Sequence, residues 1–143
     1  MMRVVIDANI LIAMLVKPGL PIDLFFDTRL SLLAPRLLFE ELESHKEEIL
    51  QKSGFTKEEF DWLFLVLKHN ITVVSEQDFL QCREEAVSVC PDPKDVIYFA
   101  LALYQKCPIW SNEKGLKKQE KVIVYAMHDL ISLFGLSSSE RKL

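Results

Sequence analysis

Asp7 is the single acid in RVVIDANILI, residues 3–12, a run otherwise almost wholly apolar. Further acids follow in PRLLFEEL (Glu40, Glu41), PDPKD (Asp92, Asp95) and IWSNEKGL (Glu113). A charge buried without a partner costs several kcal/mol, so something must compensate Asp7. It has three readings: a helix cap, a nucleophile that takes up a phosphoryl group, or one ligand of a metal ion. Carboxylates gathered in one place repel one another and rise in pKa, a penalty that a divalent cation removes. A set of oxygen ligands without Cys or His suits Mg2+ or Mn2+ rather than Zn2+. One such ion polarises a phosphoryl oxygen and generates hydroxide from water, and two would stabilise both attacking and leaving oxygens of an in-line displacement. Phosphodiester hydrolysis is the chemistry that such a set could perform.

Singly, each acid also has a plain structural use. Asp7 and Asp92 can cap helices. Asp95 in a first helical turn gains from the helix dipole, and Glu41 and Glu113 can be solvated surface acids. Asn9 and Ser111 can satisfy neighbouring backbone groups. What separates the readings is whether the elements of the chain bring the acids together.

Residues 3–6 read as a strand buried on both faces of a parallel sheet. A short helix follows to about residue 16, stopped by KPGLP, and a second spans 22–27. LSLLAP (30–35) is the next strand, and 35–52 is expected to be one helix with Gly54 just beyond it. Leu38, Leu42 and Ile49 share its apolar stripe. His45 lies on the same side and reads as a core-edge residue, since no second His or Cys accompanies it as a ligand. At about 100° per residue, Glu41 sits on the border of that stripe while Glu40 faces water, which makes Glu41 the better candidate. TKEE (56–59) has the form of a capping box for a helix to about residue 69. NITVVS is a third strand, and Ser75 and Asp78 are candidate caps of another helix that runs to about residue 89. PDPKD places Asp92 at the N-cap and Pro93 at the first position of a helix to residue 106. CPIW and KVIVYA are the fourth and fifth strands and MHDLISLFG the last helix, so a domain over 1–136 precedes a short polar tail, 137–143.

Strands alternating with helices imply α/β architecture, with a mainly parallel five-stranded sheet covered on both faces. Such sheets bind ligands at the carboxyl ends of their strands. Asp7 ends strand one, Glu41 lies in the first turns after strand two, and Ser111 and Glu113 follow strand four. Asp92 and Asp95 begin the helix that leads into strand four. The acids are therefore expected to converge on one sheet edge.

The bulk composition fits this reading. With 143 residues, 50% hydrophobic and 27% charged, the chain suits one globular domain with a single core. No apolar run approaches the roughly 18–20 residues that span a bilayer, and the N-terminus lacks the features of a signal peptide. Cys82, Cys90 and Cys107 are odd in number and form no CxxC pair, which indicates neither a disulfide framework nor a zinc site and points to a reducing cytoplasm. A net charge of −4 argues against broad electrostatic binding of nucleic acid. The local exception is EKGLKKQEK, with Lys114, Lys117, Lys118 and Lys121: a solvated surface run, or a phosphate contact if it lies beside a catalytic site.

The succession VIDANILI, APRLLFEEL, DPKDVIYFALAL and IWSNEKGL resembles the PIN-domain family of metal-dependent ribonucleases, closest in style to the stand-alone VapC-type toxins. The resemblance covers about residues 3–134 and implies a three-layer α/β/α sandwich. By motif, Asp7 matches the family's first-strand acid, Glu41 its helix acid and Asp95 its third acid; Asp92 resembles an extra acid of some members. Ser111 and Glu113 fall where the family shows Thr/Ser-x-Asp, so Glu113 replaces the usual Asp and reaches one C–C bond further. The resemblance implies that Asp7, Glu41, Asp95 and Glu113 hold one or two Mg2+ or Mn2+ ions, with Asn9 and Ser111 orienting carboxylates. It also implies an RNA substrate, with Lys114, Lys117 and Lys118 as candidates for its backbone, a homodimer and an antitoxin protein as partner. The alternative is a PIN-like RNA- or protein-binding module with little catalysis, favoured by Glu113 and the acidic balance. An aspartyl-phosphate enzyme with Asp7 as nucleophile fits less well: haloacid dehalogenase-like phosphatases show D-x-D after the first strand, where this chain has Asn9.

Overall fold

The computed structural model describes residues 1–17 and 22–135. Strand β1 (Met2–Ile6) passes through Asp7 directly into helix α1 (Ala8–Val16). Helix α2 (Ile22–Phe25) leads to β2 (Leu30–Pro35). Helices α3 (Leu37–Ser44), α4 (Lys46–Ser53) and α5 (Lys57–Asn70) then precede β3 (Ile71–Val74). Next come α6 (Glu76–Phe79), a 3-10 turn at Leu80–Cys82 and α7 (Arg83–Val89). A second 3-10 turn, Pro93–Asp95, opens onto α8 (Val96–Gln105), which returns the chain to β4 (Ile109–Trp110). A third, Lys114–Lys118, precedes β5 (Val124–Tyr125) and α9 (Met127–Leu133).

The five strands are all parallel, in the order β3-β2-β1-β4-β5. β1 is central because Val4, Val5 and Ile6 are inaccessible from both faces, as a strand flanked on each side and covered above and below must be. Val5 pairs with Leu33 of β2, and Ile6 with Trp110 of β4. Strand addition runs one way from β1 through β2 to β3, then jumps to the other side of β1 for β4 and β5. Right-handed crossovers therefore place α1, α3 and α4 on one face and α6, α7 and α8 on the other. The contacts agree: α1 packs on α3 and α4, while α8 lies against β1, β2 and β4 with α6 and α7 behind it. The result is a three-layer α/β/α sandwich whose switch point opens at the carboxyl ends of β1 and β4, where such folds form their crevice.

Two helices expected to be continuous are broken. The helix expected over 35–52 divides at His45, where φ −99° and ψ 9° leave the helical basin. Ser44 Oγ donates to the Glu41 carbonyl at 2.8 Å, His45 Nδ1 lies 2.8 Å from the same oxygen, and the His45 N–H also reaches it. Side-chain groups competing for one carbonyl loosen the i to i−4 ladder. His45 is exposed at this break, not at the core edge. The helix expected after the third strand, to about residue 89, starts at the Ser75 cap and bends at Phe79, which turns to φ −121° with its ring buried. Other ends follow their local signals: Thr56 and Glu59 close a reciprocal capping box on α5, and Gly54 ends α4 in the left-handed region at φ 79°. Among the described residues no helix is long and apolar enough to cross a membrane. The polar tail expected at 137–143 lies outside the described residues.

Candidate metal centre

The switch point gathers side chains from separate parts of the sequence. Asp7 leaves the end of β1 as the N-cap of α1, and its Oδ1 accepts from the Asn9 N–H at 3.2 Å. Its Oδ2 accepts from Ser111 Oγ, just beyond β4, at 2.8 Å. Ser111 Oγ in turn accepts from the Glu113 N–H at 3.2 Å, which fixes the loop after β4 relative to β1. Asn9 Nδ2 donates to Glu113 Oε1 at 2.9 Å. Capping and membership of the acid group are thus not alternatives for Asp7, because its two oxygens serve both.

Carboxylate oxygens of Asp7, Asp95 and Glu113 lie within 4.8 Å of one another. Asp7 is 3% and Asp95 5% exposed. Asp95 stands at the N-cap of α8 without capping it, and its Oδ2 is buried with no hydrogen-bond partner. A buried carboxylate oxygen without a partner is costly, which tells against a purely structural use of this residue. Burial, then the charges of Glu113, Asp7 and Asp92, push the Asp95 carboxyl up to about 7. Burial also raises Asp7 above the usual carboxylate range, against the lowering effect of its bond from Ser111.

Glu41 lies beside the group rather than in it. It is half-buried on α3, and its Oε1 accepts from the Tyr98 hydroxyl at 3.0 Å. Burial first, then the nearby Asp7 charge, raise its pKa. Tyr98 is 2% exposed and was not singled out by sequence reasoning. Its signal was available, since it follows Asp95 by one helical turn and so shares its side of α8. Asp92 is also outside the group of three: its Oδ1 accepts from the Lys94 N–H at 3.2 Å, capping the 3-10 turn.

Lys94 is the second residue that sequence reasoning passed over. Its ammonium lies 3.6 Å from Glu113 and 3.8 Å from Asp92. Glu113 first, then Asp92 and Asp95, raise its pKa. Of the lysines expected near the site, Lys114 and Lys117 line a cavity of about 550 Å³ that shares Ser111 and Glu113 with the acid group. Lys117 is paired with Asp129 at 2.5 Å, and Lys118 is exposed away from that cavity's lining.

This donor set fits a hard divalent cation. Asp7, Asp95 and Glu113 offer oxygen only, and the buried Asp95 Oδ2 has no hydrogen-bond partner to satisfy it. Carboxylate oxygens within 4.8 Å of one another are close enough for one small cation to be shared among them. The extra methylene of Glu113 does not keep its carboxylate out of the group.

Comparison with known proteins gives this arrangement a family. The chain's fold is similar to that of a chain in VapBC2 from Rickettsia felis, solved bound to a DNA fragment from their promoter. The TM-score is 0.60 at 13% identity, over 87% of this chain and 98% of that one. Identity this low speaks for the fold alone. No curated protein matches the chain in sequence. A family profile, described as PIN domain, does match, over residues 5–122. That match runs from within β1 almost to β5, through all the acids at the switch point, and on its strength the chain belongs to the PIN-domain family.

Proposed function

We propose that this protein is a Mg2+- or Mn2+-dependent endoribonuclease that hydrolyses phosphodiester bonds in RNA. The observation that carries the reading is the group of Asp7, Asp95 and Glu113 with its unpartnered buried oxygen. Membership of a family whose VapC-type members are generally nucleases supports it.

Asp7, Asp95 and Glu113 would hold the ion, with Glu41 and Asp92 as flanking acids. A cation bound there supplies a Lewis acid for the scissile phosphate and an acidified water at neutral pH. The chain's own part is preorganisation. Ser111 and Asn9 fix Asp7 and Glu113 in one mutual geometry, so the carboxylates need no reorganisation when charge develops. Glu41, held by Tyr98 and raised in pKa, is suited to take up or pass on a proton beside the group. The wall of the cavity beyond Glu113 carries Lys114 and the Asp129-paired Lys117, and Lys114 offers the substrate backbone a cation where the acids themselves would repel it.

The lysines of that wall have different roles. Lys114→Ala should weaken RNA binding at every sequence and flatten its salt dependence by about 0.7 in log–log slope for a single strand. Lys117→Ala should instead lower the melting temperature slightly, because it frees Asp129, which also caps α9 at the Ala126 N–H. Fluorescence titration at two salt concentrations and a thermal melt separate the two outcomes.

The similar Rickettsia felis chain is part of VapBC2, which supports an antitoxin partner for this chain, and the homodimer expected of such toxins belongs to the same reading. The decisive experiment is incubation of purified protein with single-stranded RNA and Mn2+. Cleavage that EDTA stops is expected. No cleavage, or cleavage indifferent to EDTA, would reject the assignment.

A further inference from the structure

We infer that Lys94 is a built-in counter-ion of the acid group, which a divalent cation must displace from Glu113, so that this lysine limits how tightly the site holds metal. The inference rests on the metal reading above and adds a residue to it.

Lys94 is anchored at its root and free at its tip. Pro93 fixes the backbone before it, and Asp92 Oδ1 accepts its N–H at 3.2 Å, so the 3-10 turn holds the Cα in place. The ammonium reaches out to Glu113 at 3.6 Å and Asp92 at 3.8 Å, distances of ion pairing rather than of hydrogen bonds. The side chain is 65% exposed, so it can swing into solvent without disturbing packing. Among the described residues no other lysine or arginine pairs with Asp92 or Glu113. The reach of its charge is wider than these contacts, because Asp7, Glu41 and Asp95 are all stabilised as anions by it.

A cation ligated by Glu113 would sit within a few ångströms of this ammonium. Like charges at such range repel, and the double charge of the ion doubles the effect. Lys94 must therefore give up Glu113 on metal binding. It keeps Asp92, the acid outside the group of three, as the partner to which it retreats.

Two effects of opposite sign follow for Lys94→Met, which keeps an unbranched side chain one atom shorter and removes the charge. The variant should bind Mn2+ about three- to tenfold more tightly in calorimetry, the range expected for an exposed charge beside a doubly charged ion. Its metal-free form should melt at a lower temperature, because the acids lose their counter-ion, and added Mn2+ should restore the loss. Lys94→Arg should behave as the parent protein in both measurements. A residue that merely supports the turn would lower stability and metal affinity together. Equal affinity in Lys94→Met and the parent overturns the inference, as does weaker binding, which would make Lys94 an aid to the metal. Parent protein that takes up no Mn2+ overturns the metal reading and this inference with it; the first two results leave the metal reading standing.

Discussion

Asp95→Asn is expected to raise the melting temperature of the metal-free protein at pH 8 while reducing Mn2+-dependent RNA cleavage by about 10³-fold or more. Activity falls because a cation's contribution to the reaction is several kcal/mol and each ~1.4 kcal/mol is a factor of ten. Stability rises for an electrostatic reason. In the unfolded chain the Asp95 carboxyl titrates near 3.8, and in the folded protein burial and its acidic neighbours raise it to about 7. A raised carboxyl pKa means that the folded state holds its proton more tightly than the unfolded state. Stability is therefore fully retained below pH 4, falls as pH climbs through the interval between the two values, and stays reduced above 7. Asn cannot ionise, and its amide can donate to the neighbouring carboxylates. The difference from the parent protein should be negligible at pH 4 and grow to the order of 1 kcal/mol, a few degrees of melting temperature, at pH 8. A variant that melts lower than the parent at pH 8 would show that Asp95 is not strained in the metal-free fold.

This opposition between stability and function explains what sequence reasoning could and could not reach. Alternating strands and helices determine which residues end strands, and one reversal of strand addition then brings the ends of β1 and β4 side by side. Asp7 and Glu113 meet for that reason alone, although Asp7 and its hydrogen-bond partner Ser111 stand 104 positions apart in the sequence. Helical periodicity likewise puts Glu41 at the border of the core and Glu40 in water, and both are found there. What periodicity does not carry is the direction of a long side chain. Tyr98 takes up Glu41 and holds it beside the group of three, a competition between hydrogen-bond partners that spacing cannot decide. Lys94 reads as one more surface lysine until the fold sets Glu113 next to it. The break at His45 is hidden for a similar reason: the apolar stripe continues across it, while the cause is local crowding of donors on one carbonyl. Asp7 is the instructive case, because a cap and a place in the acid group exclude each other only when the carboxylate is treated as one point. Its two oxygens face two different elements.

The same acids should make metal binding strongly pH-dependent. Between pH 7.5 and 5.5 the Mn2+ dissociation constant is expected to rise by a factor of roughly 10–100, about tenfold per pH unit for each proton displaced. A ligating carboxylate must be deprotonated, and Asp95, raised to about 7, takes up its proton within this interval. Burial raises Asp7 and Glu41 above the usual carboxylate range as well. Above pH 8 Asp95 is already ionised and the dependence should flatten. Calorimetry in two buffers of different ionisation enthalpy counts the protons directly: about one released per Mn2+ bound near pH 6, and close to none at pH 8. Solvent-exposed carboxylates with ordinary pKa values would give a flat profile over the whole interval. A dissociation constant constant from pH 7.5 to 5.5 would therefore place the ion elsewhere than at Asp95, since protons and metal compete only where they share an oxygen.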